Sequence, residues 1–217
     1  MTNTTTALRR QIGSAGDLKS VVRTMKASAA SAIGQYERSV AAIGDYARTV
    51  ELGLSVCLRA VDPASAHAAT SPGPARDSVL HAVVFGSDQG LVGRFNEVVI
   101  EHAMAQLAAS PAQAHASAQI WAVGERVQAR LRDADRPLAG SFPVPGSVQQ
   151  ITRLVAQILL RVQAPDDAPA GELPGNSLVL FYNRPSGAGY APVSQRLLPL
   201  DDRWRRGLVR QPWPTAR

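Results

Sequence analysis

LKSVVRTMKASAASAIGQYERSVAAIGDYARTVELGLSVCLRAV (Leu18–Val61) places an apolar residue at every third or fourth position: Leu18, Val22, Met25, Ala29, Ile33, Tyr36, Val40, Ile43, Ala47, Val50, Leu54, Cys57 and Val61. The mean step is roughly 3.6 residues, the period of a nearly straight α-helix with slight supercoiling. Carried back to near Thr6, the pattern predicts a rod of about 80 Å at roughly 1.5 Å per residue. A chain of 217 residues builds no compact domain able to bury such a rod along its length. A partner helix or partner protein must cover the rest, which implies a mechanical or scaffolding role and a surface as its site. Gly13, Gly16, Gly34, Gly44 and Gly53 interrupt the rod, each costing about 1 kcal/mol relative to Ala, so the isolated helix is weak.

The net charge of +6 suits a phosphate- or carboxylate-bearing counter-surface, whether nucleic acid, anionic lipid or acidic protein. Arg9, Arg10, Lys19, Arg23 and Lys26 concentrate at the start of the rod, where they form either a solvated face or a contact with an acidic partner. Aromatic platforms and nucleic-acid reading motifs do not accompany them. The single Cys57 excludes an internal disulfide and reads as a packed thiol. The four histidines suit no common metal spacing, so neither metal nor cofactor is expected. No stretch approaches a membrane span, and the polar start lacks the apolar core of a secretion signal.

The rod is assigned to residues 1–61, a linker rich in Ala, Ser, Pro and Gly to 62–77, an α/β domain to 78–200 and a basic, uncapped tail to 201–217. Val79–Phe85 reads as a buried strand, the Gly-rich turn Gly86–Gly93 follows, and a helix runs from about Asn96 to Ala109. Gln119–Val123 is a second strand and Gly124–Asp133 a helix; Ser147–Val162 is amphipathic, with Val148, Ile151, Leu154, Val155, Ile158 and Leu159 on its apolar side. Ser177–Tyr182 and Gly189–Leu198 close the domain as strands joined through Pro185-Ser186-Gly187. The fold class is therefore α/β: a long N-terminal coiled-coil helix plus a small Rossmann-like domain with a mainly parallel sheet and one antiparallel edge.

The turn invites a nucleotide reading, since backbone N–H groups and a helix N-terminus can face phosphate. Gly86, Gly90 and Gly93 do not give the dinucleotide fingerprint, and the Gly-Lys-Ser/Thr ending of a phosphate loop is missing. The plainer reading is a tight strand-to-helix turn in which Asp88 hydrogen-bonds neighbouring backbone. A hydrolase reading would make Ser87 the nucleophile, but the Gly-x-Ser-x-Gly elbow and an evident His with an acidic partner are missing. No residue is assigned a catalytic role.

The order of parts resembles a known family. Leu8-Arg9-Arg10-Gln11-Ile12 and Val21-Val22-Arg23-Thr24-Met25-Lys26-Ala27-Ser28-Ala29-Ala30-Ser31 are similar to the basic opening and Met-centred stretch of the γ subunit of rotary F-type ATP synthases. Ser87-Asp88-Gln89-Gly90-Leu91-Val92-Gly93-Arg94-Phe95-Asn96 resembles that family's Asp-x-Gly-Leu-x-Gly-x-Phe-Asn signature. Phe181-Tyr182-Asn183-Arg184 and Gln195-Arg196-Leu197-Leu198-Pro199-Leu200 are similar to its closing hairpin. The resemblance implies a non-catalytic rotor shaft without a cofactor, coupling ion flow to ATP synthesis or hydrolysis. Its implied partners are the α and β catalytic subunits, the ε subunit and a ring of c subunits, with no nucleic acid. It implies a peripheral place on the cytoplasmic face of the bacterial plasma membrane. It implies that Arg9, Arg10, Arg23, Met25 and Lys26 face the catalytic ring, and that Asp88, Gly90, Gly93, Phe95 and Asn96 shape the base domain. The family continues into a long C-terminal helix that pairs with the first, whereas this sequence stops at Arg217. Two other readings stay open on the residues alone: an Arg-rich coiled-coil protein that binds nucleic acid or dimerises, and a small nucleotide-dependent α/β enzyme.

Overall fold

The computed structural model describes residues 2–60, 79–109, 118–163, 177–187 and 189–212; the linker assigned to 62–77 lies outside them. The chain divides into two units, Met1–Val50 and Glu51–Arg217.

The first unit is the bulk of helix α1 (Thr2–Ala60), and its seam is left open: Ile33 is 54% exposed and Val40 70%. Gly13, Gly16, Gly34 and Gly44 have nothing near the place a Cβ would occupy. The last turns of α1 belong to the second unit, so the unit boundary falls inside the helix and not at residue 61. There Ser55 is fully buried and donates to the Leu52 carbonyl at 2.7 Å. Cys57, expected as a packed thiol, is exposed, because Leu54 and Cys57 continue the open row while Leu52, Ser55 and Val56 lie on another side of the helix.

The second unit is built on a five-stranded sheet. Its remaining elements are β1 (Leu80–Phe85), α2 (Phe95–Ala109), β2 (Ala118–Val123), α3 (Glu125–Asp133), β3 (Gly140–Phe142), α4 (Val148–Gln163), β4 (Ser177–Ser186), β5 (Gly189–Leu198) and α5 (Asp202–Val209). The strand order is β3-β2-β1-β4-β5, parallel except for the antiparallel β4–β5 pair. The central strand β1 is buried throughout except at Phe85, which is why it reads as a continuous apolar run and not as an alternating one. Ala82 and Val84 join Val99, Ala103, Val127, Leu131 and Phe181 in one core under α2 and α3. Val83 and Val123 join Leu154, Ile158, Val162 and Leu178 in a second under α4. Helices on both faces of a mostly parallel sheet are the α/β architecture the sequence implied.

Three details depart from the sequence reading. Strand β3 was not anticipated; it pairs Trp121 with Gly140 and Val123 with Phe142, and only a glycine fits at 140, since a Cβ would lie 2.6 Å from the Trp121 ring. Helix α4 buries only its Leu154, Ile158 and Val162 row, leaving Val155 and Leu159 partly exposed, because the apolar face is wider than the surface it packs on. The segment expected as an uncapped tail contains α5, started by the Asp201 carboxylate accepting from Arg203 N at 2.8 Å and anchored by buried Leu208. Arg59 of α1 donates to the carbonyls of Val209 and Gln211 at the far end of that helix, where a cation complements the dipole.

Buried on β1, His81 accepts a hydrogen bond through Nδ1 from Trp121 Nε1 at 3.2 Å, and its Nε2 has no partner among the described residues. Burial holds its pKa below the ordinary value of 6.5.

Candidate functional site

The turn after β1 is fixed by its own polar groups. Gly86 N donates to Val123 O at 2.8 Å, and a Cβ at position 86 would collide with the side chains of Val127 and Asn96. Asn96, the first buried residue of α2, accepts from Ser87 N at 3.0 Å and donates from Nδ2 to Ser87 Oγ at 3.0 Å. The Ser87 hydroxyl donates to Gln89 O at 2.8 Å. Ser87 is therefore a turn residue whose hydroxyl is engaged by local partners and not by a base.

Asp88 reaches further than a local turn. Its Oδ1 accepts from Glu125 N at 2.8 Å and its Oδ2 from Val144 N at 3.2 Å. Glu125 opens α3, whose N-cap is Gly124 and has no side chain to offer, so the carboxylate supplies a remote cap to an orphan N–H at the positive end of the helix. Gly124 sits at φ +110°, and a Cβ there would lie 3.0 Å from the Ser87 backbone. Three loops at the carboxyl edge of the sheet, after β1, β2 and β3, are thus tied by one side chain. The local hydrogen bond expected for Asp88 is replaced by contacts far off in sequence.

Gly93 takes a left-handed φ of +59°, and Leu91 takes +58° with 76% of its surface exposed. Gly90 lies under the Arg126 guanidinium, at the mouth of a crevice of about 460 Å³ whose lining includes Glu97 and Arg130. Those two form an ion pair at 3.0 Å. No lysine lines the crevice, whose charged lining is Arg126, Arg130, Glu97 and Asp133. Among the described residues, no group of three His, Cys, Asp or Glu is placed to hold a metal ion.

Phe95 connects the turn to the closing hairpin. Its carbonyl accepts from Asn183 Nδ2 at 2.7 Å, and its ring meets Tyr190 edge-on at 5.0 Å. Asp88, Gly90, Gly93, Phe95 and Asn96 therefore form one structure with residues of α3, β4 and β5. Arg9, Arg10, Arg23, Met25 and Lys26 belong to the other unit. All five are exposed on α1, with Lys26 about one turn beyond Arg23, Met25 on the apolar row nearly opposite Arg23, and Arg9 and Arg10 well separated from them. The roles of Arg59, Asn183 and Val144 were not anticipated; the only sequence signal was the polar Asn183 inside an apolar strand.

The chain thus joins in sequence a rod with an open seam and an α/β domain whose signature turn is spent on internal bonds. A family model described as ATP synthase matches residues 4–213, which places the chain among ATP synthase subunits. Within that class it belongs to the γ family: it is 28% identical over 200 residues to the ATP synthase gamma chain of Leifsonia xyli subsp. xyli, a match that takes in 89% of this chain and 63% of that relative. The chain thus spans less than two thirds of the relative's length. Among solved structures, it is similar to a chain of the Tetrahymena thermophila mitochondrial ATP synthase central stalk and c-ring, at 25% identity over 56% of this chain and 50% of that one, with a TM-score of 0.41. It is also similar to a chain of the Euglena gracilis mitochondrial ATP synthase rotor, at 15% identity over 80% and 61% of the two chains, with the same score of 0.41.

Proposed function

We propose that this chain serves as the central-stalk rotor of an ATP synthase, carrying torque between an ion-driven ring of c subunits and the α and β catalytic subunits while performing no chemistry itself. The observation that carries the reading is the exposed apolar row of α1, from Leu18 to Leu54, in a member of the γ family. A rod that cannot cover its own seam is suited to lie inside a ring of other subunits, which desolvate it on assembly. Arg9, Arg10, Arg23 and Lys26 would meet acidic surfaces of that ring, with Met25 contributing to the apolar row. The base domain, held rigid by the Asp88 to Asn96 turn, would receive the ε subunit and the c-ring. No helix among the described residues is long and apolar enough to cross a membrane. Attachment at the cytoplasmic face of a bacterial plasma membrane would then run through the assembled complex.

Reconstitution of the chain with catalytic subunits tests the reading. Reversing charge at Arg23 and Lys26 should weaken assembly and coupled ATPase activity at low salt. The difference should shrink as salt rises, since exposed charges are screened over about 10 Å at 0.1 M. Assembly and coupling unchanged by the reversal at low salt would show these residues to be a solvated face only.

A further inference from the structure

His81 stands on the central strand, on the face that α4 covers, since strand alternation sets it with Val83 and Phe85 and its ring meets Trp121 of the same core. It is 4% exposed. Its Nδ1 accepts from Trp121 Nε1 at 3.2 Å, which assigns the proton of the neutral ring to Nε2, and that N–H has no acceptor among the described residues. Trp121 in turn holds β3. Its ring stacks on Phe142 at 5.7 Å between centroids and fills the space over Gly140. β3 itself has three residues and a single neighbour in the sheet. We propose that His81 and Trp121 form a proton-operated latch: a second proton on the imidazole turns the indole away and releases β3 from the edge of the sheet. The latch uses groups that take no part in the rotor reading and is independent of it.

Protonation places an N–H on both ring nitrogens. Nδ1 then meets the indole N–H as donor against donor, and two buried donors are left unpaired. The new charge also finds nothing to offset it. The residues in register on either side, Gln119 of β2 and Leu178 of β4, are neutral, and β1, β2 and β3 carry no other ionisable side chain. On α4 the ionisable residues are Arg153 and Arg161, both exposed; Arg184 of β4 and Arg196 of β5 are exposed as well. All four are cations. Tyr182 of β4 spends its hydroxyl on Gln195 and Arg184. Swinging the indole out removes the donor clash and lets water reach the imidazolium. The cost is the contact with Phe142 and Gly140, after which β3 keeps only its backbone pairing to Trp121, Ala122 and Val123. Burial holds the closed ring below its ordinary 6.5, whereas the open, hydrated ring takes its proton near that value. The closed state is therefore favoured above 6.5 and loses ground as pH falls below it, by up to about tenfold per pH unit.

NMR-detected hydrogen exchange on the full chain, from about pH 7.5 to about pH 5, tests this. Across the β2–β3 pair, Ala139 N donates to Ile120 O at 2.8 Å and Gly124 N to Phe142 O at 2.9 Å. Protection of these two amides, corrected for intrinsic exchange, should fall by up to about tenfold per pH unit as His81 titrates. Ser177, whose N–H donates to Val79 O at 2.9 Å beside β1, should keep its protection. His81→Gln, which can still accept from the indole but takes up no proton, should abolish the pH dependence at Ala139 and Gly124. Trp121→Phe should raise the pH at which His81 takes its proton, because a hydrogen bond that favours the neutral ring is gone while the site stays buried. The native titration and Trp121→Phe decide the matter if the Gln variant does not fold. Equal loss at Ser177, flat protection at Ala139 and Gly124 while His81 titrates, a His81 still neutral when the domain unfolds, unchanged pH dependence in a folded His81→Gln, or an unshifted His81 in Trp121→Phe would each overturn the proposal.

Discussion

Replacing Asp88 with alanine removes a remote helix cap and a cross-loop tie together. Oδ1 accepts from Glu125 N at 2.8 Å and Oδ2 from Val144 N at 3.2 Å. Losing an N-cap costs about 1 kcal/mol. Losing a charged acceptor for a part-buried N–H costs about 1–2 kcal/mol more once that N–H is left unpaired. The favourable placement of a carboxylate at the α3 N-terminus adds about 0.5 kcal/mol. Asp88→Ala should therefore destabilise the α/β domain by about 2.5–3.5 kcal/mol, lowering its Tm by about 5–14 °C for a unit of this size. Asp88→Asn keeps one acceptor but loses the charge, and should cost about 1–1.5 kcal/mol. Urea unfolding followed by tryptophan fluorescence gives the totals, because Trp121 lies against Phe142 at the β2–β3 edge. Hydrogen exchange gives the location: the amides of Glu125 and Val144 should lose protection together. If both amides keep their protection in Asp88→Ala, or the loss of stability stays within about 0.5 kcal/mol, the carboxylate is not the tie described.

Alanine at Gly86 or Gly124 should destabilise by about 2–4 kcal/mol, because a Cβ meets Val127 and Asn96 at the first and the Ser87 backbone at the second, where φ is also +110°. Gly93→Ala, in open space at φ +59°, should cost only about 1–2 kcal/mol, and the reverse order in denaturation midpoints would contradict this account. His81 titrates below its ordinary 6.5 in the folded chain, so stability should be full above that value and fall as pH drops through it, where the unfolded chain takes up a proton the folded chain resists. Thermal melts of His81→Leu should lack that acid-side slope; a slope equal to that of the native chain would assign it elsewhere. Arg59→Ala should fray the end of α5 by about 1 kcal/mol, read as roughly five- to tenfold faster exchange at Arg210 and Gln211, with β1 unaffected.

How much of this was legible in the sequence follows from which forces shape each element. The long helix, β1 and α4 are written in side-chain periodicity, so a run such as Leu80–Phe85 or the row from Leu18 to Leu54 declares itself. β3 has three residues and owes its place to pairing with Trp121, Ala122 and Val123, so no pattern of its own marks it. α5 is short and arginine-rich; one cap, one buried leucine and a guanidinium from another helix hold it. The importance of Asp88 was visible from its motif, but its partners were not. They lie 37 and 56 residues away and are backbone N–H groups, which carry no residue identity.

The two groups of motif residues therefore differ in where their bonds go. In the turn, both oxygens of Asp88, the amide of Asn96, the hydroxyl of Ser87 and the carbonyl of Phe95 all have partners within the domain. A ligand there would have to break bonds that hold three loops and a hairpin. Along α1 the row and the charges beside it face outward, and nothing lies within 4 Å of a Cβ built at Gly34 or Gly44. Substitutions should accordingly separate by readout. Asp88→Ala, measured well below its lowered midpoint, should leave the assembly proposed for α1 at its native strength. Lys26→Glu should weaken that assembly while leaving the stability of the α/β domain within about 0.5 kcal/mol, as expected for sites that share no partners. A strong effect of either substitution on the other measurement would mean that the turn and the row act as one system.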